Sequence, residues 1–373
     1  MLKPRPMKKI LIITSEFPPQ PGGIGIHAHQ LAKGLVKKGF QVKVICDQRS
    51  RDGEEERRFD AEQLFEVVRV RRNDLILWTY IKRLQTAIRL LKTADVVLVS
   101  GKFSLWTGGL LRGIRKKPLV AILHGTEMQL SSAILRKLTD ASLKRFHTVV
   151  AVSQYTKSLT DHLDLKNVCV IPNGFEIAGV KTIKKLNHHA PRLITVGNVT
   201  QRKGQHNVIR ALPVLLKKHP NLQYHIVGIP TDRSKLEKIA ADANVSDAVV
   251  FHGRVDEATK RNLLLAADVF VMLSEATPSG DVEGFGIAIL EANALGLPAI
   301  GALGCGIEDA IEDGFSGRLI AHENPDQLEQ ALADILQNYP VYSQQAKQWS
   351  TNFTWDKVME RYLEVLLDLR REI

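Results

Sequence analysis

The 373-residue sequence predicts an α/β protein made of two successive doubly wound domains. Short β-branched runs of strand length alternate with longer stretches of helical apolar spacing, the signature of parallel βαβ units. The alternation lapses over residues 177–191, IAGVKTIKKLNHHAP, and then restarts. A chain of this length holds two separate cores. The first domain is expected over 1–175 and the second over 190–354.

Composition narrows the class. Hydrophobic residues make up 44% and charged residues 24%, as in an ordinary soluble protein. No apolar run approaches the roughly 18 to 20 residues that span a bilayer. The start, MLKPRPMKKILIIT, has positive charge but only a strand-length apolar run and no cleavage site, so a cytoplasmic protein is expected. Cys46, Cys169 and Cys305 are few, odd in number and far apart, without metal or disulfide spacing. Net charge is +11 and unevenly spread: residues 1–175 hold 30 Lys/Arg against 15 Asp/Glu, the remainder 21 against 25. A basic half points to an anionic partner such as a membrane surface, a lipid phosphate or an acidic polymer. Its basic residues are scattered and no nucleic-acid module is recognisable, so nucleic acid is not expected.

In order, KKILIIT reads as a buried strand, SEFPPQPGGIG as a loop, residues 24–38 as a helix and FQVKVIC as a second strand. The charged run 48–60 reads as an exposed loop and VVRVRR as a strand. Residues 76–92, ILWTYIKRLQTAIRLLK, are amphipathic and basic, equally readable as an outer helix of the sheet or as a membrane-interface helix. DVVLVS, PLVAILH and HTVVAVS give three strands, the second ending at His124 before Gly125. Ligands of open parallel sheets bind beyond the carboxyl ends of strands, which is where His124 stands. After the lapse, RLITVG, LQYHIVG, AVVFHG and DVFVML are strands with helices between them. GALGCG (301–306) reads as a turn, 307–320 as helix and loop, and the tail from Pro325 as helical.

Gly23, Gly25 and Ala28, with Asp47 after the second strand, fit the dinucleotide fingerprint G-x-G-x-x-G/A. The context does not fit. Nine residues with three prolines separate Thr14 from Gly23, where the fingerprint needs a tight turn.

The richest stretch is PSGDVEGFGIAILEANALGLPAIG, residues 278–301. Glu283 precedes a Gly-Phe-Gly turn, and Glu291 lies in an apolar helix-forming run that Gly296 and Pro298 end. A helix starting near Gly286 would present free N–H groups and a positive dipole end, which favour an anion such as phosphate. Two carboxylates alone read equally well as a helix cap and a solvent-facing acid.

GGIGIHAHQLAKGL, IPNGFE, GNVTQRKG, EGFGIAILEANALGLPAIG, DGFSGRLI and FTWDKVMERYLEVL, in this order, resemble the GT-B glycosyltransferases of family GT4. The resemblance covers nearly the whole chain. It implies two Rossmann-like domains facing across a cleft, with the last helix, 355–373, joining the first. It further implies a retaining, nucleotide-sugar-dependent transferase, of hexosyltransferase type, using a UDP- or GDP-sugar and no metal or other cofactor. By residue, it implies that Glu283 holds hydroxyls of the donor sugar and Glu291 the ribose. Gly284, Phe285, Gly286 and Ile287 would offer backbone amides to sugar and phosphate. Lys203 would neutralise the diphosphate, Gly22 and Gly23 would close over it, and His124 would lie near the sugar's primary hydroxyl. Catalysis would thus rest on His124, Glu283 and Lys203. Where the family usually has arginine the chain has Asn198, and Arg202 is the nearest substitute. The implied acceptor is a glycan or a lipid-linked or small molecule, and the basic first half allows peripheral contact with the inner face of the membrane. A nucleotide-sugar epimerase of the same fold, or less favourably an NAD-dependent dehydrogenase, are the alternatives.

Overall fold

The computed structural model describes residues 8–114, 116–176 and 190–371. The linker expected at 177–191 lies, but for its last two residues, outside the described residues. The chain divides into two compact units, one of residues 1–174 with 355–373 and one of residues 175–354.

The first unit runs β1 (Lys9–Thr14), α1 (Gly23–Lys37), β2 (Gln41–Gln48), α2 (Glu54–Ala61), β3 (Glu66–Arg71), α3 (Ile76–Leu91), β4 (Val96–Ser100), α4 (Lys102–Ile114), β5 (Leu119–Leu123), α5 (Ala133–Leu143), β6 (Thr148–Ala151), α6 (Gln154–Ser158) and β7 (Val168–Val170). Its seven strands are all parallel in the order β3-β2-β1-β4-β5-β6-β7. A parallel sheet is covered on both faces, so its central strands β4 and β5 are buried throughout rather than alternating, while the edge strand β3 carries Glu66, Arg69 and Arg71. Ile10 and Ile12 of β1 pack on one side with α1 residues Leu31 and Leu35. Leu11 and Ile13 pack on the other with Ala87 and Leu91 of α3 and Leu105 of α4. The period of two between side chains produces this division.

The second unit runs β8 (Arg192–Val196), α7 (Gln205–Lys218), β9 (Gln223–Val227), α8 (Arg233–Asp242), β10 (Val249–Gly253), α9 (Glu257–Ala266), β11 (Val269–Met272), α10 (Ile287–Ala294), β12 (Ala299–Ala302), β13 (Gly317–Ile320), α11 (Pro325–Gln337) and α12 (Tyr339–Ser350). The last helix, α13 (Trp355–Arg371), returns to the first unit, where Met359 and Tyr362 join the core beside α1. The second sheet has six parallel strands in the order β10-β9-β8-β11-β12-β13.

Three elements depart from the sequence reading. The charged run at 48–60 is not all loop, because α2 occupies its end. Glu54, Glu55 and Glu56 fill the first turn, where the helix dipole favours acids. Glu56 turns inward and accepts from the Arg49 and Ser50 amides at 3.0 and 2.7 Å. The turn and the helix-and-loop expected at 301–320 are present as bends at 303–305 and a 3-10 helix at Gly306–Asp309, but the strands β12 and β13 at either end were not expected. Small residues at Ala299, Gly301 and Ala302 hid β12, and a Cβ on Gly301 would lie 2.5 Å from Ile307.

Candidate functional site

Each sheet reverses its strand order once, between β1 and β4 in the first unit and between β8 and β11 in the second. At such a reversal the connections leave to opposite sides and open a crevice beyond the carboxyl ends. The residues singled out in the sequence gather around these two places, one set in each unit.

In the second unit, the loop after β8 carries Arg202 and Lys203 in a single 3-10 turn, Gln201–Lys203. Gly204 follows at φ 68, with its ideal Cβ position only 1.7 Å from the Leu273 carbonyl oxygen. Only glycine lets this turn press against the end of β11. The Lys203 Nζ lies 2.7 Å from Glu283 Oε2. Arg202 pairs through Nη1 with the same oxygen and through Nε with Asp281 Oδ2 at 3.2 Å. Arg202 therefore points at Glu283, as Lys203 does, whereas Asn198 is exposed. Burial alone would push the Glu283 carboxyl up. Lys203 and Arg202 more than offset that and hold it below the usual carboxylate value.

The Glu283 carbonyl accepts from Gly306 N at 2.9 Å, and a Cβ on Gly306 would fall 2.0 Å from the Gly284 oxygen. Two backbones thus meet directly under the Gly284–Gly286 turn, where buried Phe285 also packs on Phe353. Gly286 is the N-cap of α10 at φ 93, and Ile287 is its first residue. No side chain caps this end and no acid occupies its first turn, so its amides and positive dipole end are uncovered by side chains. Glu291, one turn on, is partly exposed and paired with Lys260 at 3.1 Å. Cys305 is buried, its thiol pushed up by burial to about 12, which makes it inert packing.

Sequence reasoning missed Asp281 and Glu275. Glu275 accepts from Gln201 Nε2 at 2.8 Å and Asn207 Nδ2 at 3.2 Å, and lies 3.2 Å from His206 Nε2. Its amide donates to the Arg202 carbonyl at 3.3 Å. It thereby ties the cationic turn to the strand end. Among the described residues, Glu275, His322 and Glu323 form the one group with ligand atoms close enough for a metal, all within 4.8 Å. Glu275 is already committed to the Gln201 and Asn207 amides, and Glu323 is largely exposed.

In the first unit, His124 follows β5 and is buried. Its Nε2 lies 3.0 Å from Ser100 Oγ at the end of β4. Its ring meets His27 of α1 edge-on at 5.0 Å, and His27 Nε2 lies 3.2 Å from the Tyr362 hydroxyl of α13. Burial pulls His124 down to about 4, and burial followed by the neighbouring His124 lowers His27 too, so both rings are neutral at physiological pH. Glu127 is fully buried, accepting from the His124 amide at 3.0 Å, with Oε1 unpartnered. Burial raises it to about 7. The sequence reading assigned no site role to His27, Ser100 or Glu127, although His27 and Ser100 lie inside quoted stretches and Glu127 follows His124 by three residues. An acid three residues after a strand-end histidine was the available signal for Glu127. Gly22 is the N-cap of α1 beside Glu16, and Gly23 opens the helix, which has no acid in its first turn.

Asp47, which the dinucleotide pattern required free for a ribose, is instead 2.6 Å from the buried Arg83 and 3.0 Å from Arg72. Two cations consume its charge, and a Cβ on Gly25 would meet Phe17 N at 2.9 Å, so that glycine serves packing.

Comparison with known proteins identifies the family and the fold. Residues 21–178 match the family Glycosyltransferase Family 4, and residues 180–353 match Glycosyl transferases group 1. A GDP-mannose-dependent monoacylated alpha-(1-6)-phosphatidylinositol monomannoside mannosyltransferase of Corynebacterium glutamicum is 26% identical, over 88% of this chain and 89% of its own. A glycogen synthase of Mycobacterium tuberculosis is 25% identical over 97% and 95%. Among solved structures, sucrose-phosphate synthase from Thermosynechococcus elongatus superimposes with a TM-score of 0.80 at 19% identity, covering 98% of this chain and all of that one. Anabaena Alr3699/HepE in complex with UDP and glucose gives 0.76 at 20% identity, over 97% and 100%. These structural likenesses establish the fold, two parallel-sheet Rossmann-like units of the GT-B kind. With matches to both halves in order, the chain belongs to the GT-B glycosyltransferases of family GT4 type, enzymes that use nucleotide-sugar donors.

Proposed function

We propose that this enzyme is a retaining hexosyltransferase that takes its sugar from a UDP- or GDP-sugar and passes it to a lipid-linked or glycan acceptor without a metal. The observation that carries it is the convergence of Lys203 and Arg202 on Glu283 beside the uncovered start of α10. A departing nucleoside diphosphate develops negative charge, and fixed cations with a helix end stabilise that charge more in the transition state than before it. Glu283 grips hydroxyls of the donor sugar, Glu291 those of the ribose, and the amides of Gly284, Phe285, Gly286 and Ile287 the phosphate side. Asn198 lies at the mouth of the same loop and contributes a hydrogen bond at most. Lys203 and Arg202 take the electrostatic part a divalent cation plays elsewhere, so turnover is expected to be unaffected by EDTA.

In the first unit, His124 offers a neutral ring to a sugar hydroxyl, and Gly22 and Gly23 offer the free amides of α1 to phosphate. The relatives' names support the sugar and acceptor classes: one is a mannosyltransferase named for GDP-mannose and a phosphatidylinositol mannoside. The solved UDP complex named above supports a uridine donor equally. A thermal-shift screen with UDP, GDP, ADP and their sugars decides, because a ligand that binds only the folded state raises its melting temperature. No response to any of these nucleotides overturns the proposal, and product formation from donor alone would favour an epimerase.

A further inference from the structure

We propose that the outer face formed by α3, α4 and α5 of the first unit docks on an anionic lipid bilayer. This deepens the lipid-linked acceptor proposed above and takes its purpose from it, although the surface is measured without turnover.

The two helical layers of the first unit differ sharply. α3, α4 and α5 pack on one side of the sheet. Together they carry seven Lys/Arg and a single acid, Asp140. α1, α2 and α13, which carry eight Lys/Arg and eight Asp/Glu, belong to the opposite layer. Even with Arg83 set aside, since it is turned inward onto Asp47, the first layer keeps a cationic excess of five. The domain's basic character is therefore concentrated on one face.

Exposed apolar side chains follow the same division. Among the described residues, seven large hydrophobics stand exposed on α3, α4 and α5, including Trp78, Leu110 and Ile134 at 54, 52 and 79%, against two on α1, α2 and α13. Folding normally covers side chains of this size, and clustering of exposed ones marks an interaction surface. Cations are interleaved with them. Lys82 lies one turn beyond Trp78, Arg112 sits between Leu110 and Ile114, and Arg136 and Lys137 stand between Ile134 and Leu138. A groove of about 380 Å³ runs among the three helices, lined by Tyr80, Phe103, Trp106, Leu110 and Leu138. Close packing of α4 on α5 shapes it: a Cβ on Gly109 would meet Ser142 at 2.9 Å.

The occupant must be anionic and must accept aliphatic and indole side chains. A second copy meeting it through the same face fails the first requirement, because that contact would bring two basic faces together. A bilayer of anionic lipid meets both, with Lys and Arg at the phosphates and the apolar residues at the headgroup–acyl boundary. The groove then takes an acyl chain.

Co-sedimentation with vesicles tests this, using phosphatidylcholine alone and an equal mixture of phosphatidylcholine and phosphatidylglycerol. The protein is expected on the mixed vesicles at low salt and not on the neutral ones. Charge reversal at three sites, Lys82→Glu, Arg136→Glu and Lys137→Glu, should weaken binding by roughly a hundredfold or more. Ile134→Asp should weaken it by about tenfold. All four positions are exposed, so melting temperature and its shift with UDP serve as controls for folding and for the donor site. The paired reversal Lys357→Glu and Arg361→Glu, on the opposite layer, should leave vesicle binding unchanged. Absence of binding to anionic vesicles, equal binding to neutral ones, or equal loss with the α13 pair overturns the surface. So does a concentration-dependent dimer that Ile134→Asp abolishes. Vesicle binding without any nucleotide response would instead strike the proposed function and leave the surface standing.

Discussion

The two sheet reversals hold opposite kinds of site. In the second unit, charge is abundant and paired: two cations share one buried carboxylate, with Asp281 behind Arg202. In the first unit, the groups around His124 are equally buried but stripped of charge, while Glu16 after β1 is paired with Arg49 at 3.4 Å. His124 and His27 are neutral, and Glu127 has only backbone donors and an orphan oxygen. Similar topology thus yields a charged cluster around Glu283 in one unit and an uncharged one around His124 in the other. The difference arises from the loops after the strands, because the strands themselves are apolar in both.

Lys203→Ala gives the sharpest test of the charged half. Removing one of two cations at a developing diphosphate should lower turnover and nucleotide affinity by roughly a hundredfold. Calorimetric titration with the nucleotide that the melting screen selects, together with initial rates, checks this; unchanged affinity would show that Lys203 serves only to balance Glu283. Next in size is His124→Ala, expected to lower turnover about as much as a lost polar contact to the reacting sugar, with nucleotide affinity retained. Because burial holds His124 near 4, its ring resonances should not titrate between pH 5.5 and 8. A midpoint near 6.5 in NMR would overturn the neutral first-unit site.

A smaller effect appears in stability. The Glu283 carboxyl sits below its usual 4.5, so its pairing stabilises the fold fully above that value. That contribution is lost as pH falls through the lower folded value. Glu283→Gln should therefore flatten the acid limb of the melting curve while leaving its neutral limb parallel to the parent.

Much of this was legible in the sequence, and the exceptions have physical causes. Parallel strands buried on two faces are continuous apolar runs, and KKILIIT and DVVLVS announce themselves. β12 does not, because three of its four residues are small, and a Cβ on Gly301 would meet Ile307 and Ile311 at 2.5 and 2.6 Å. The acids of α2 look like a solvated loop until Glu56 is seen capping the amides before it. In the site, glycines and acids at 283–291 were readable because their spacing is local. The Arg202 direction was not, since it depends on Glu283, 81 residues away. His27 was hidden for the same reason: its partners, His124 and Tyr362, come from distant segments of the chain. The charge split between halves was visible, but its concentration on α3, α4 and α5 required knowing which helices share a layer.

The smallest expected effect is a gain, and it probes the uncharged half most directly. Burial lifts Glu127 to about 7 from a usual 4.5, so between those values the folded protein holds a proton that the unfolded chain has released. Stability from this group therefore falls as pH rises from 4.5 to 7 and is flat above. The neutral histidines act in the other direction, gaining stability as pH rises toward 6.5, so the parent curve conceals the Glu127 contribution. Glu127→Gln removes it while keeping an acceptor for the His124 amide. The difference in melting temperature, variant minus parent, should move in favour of the variant by a few degrees between pH 5 and 8. Subtraction cancels the histidines and any constant cost of burying an amide. A flat difference would mean that Glu127 is ionised in the fold throughout, with a cation at its orphan oxygen, and that the first-unit site is charged after all.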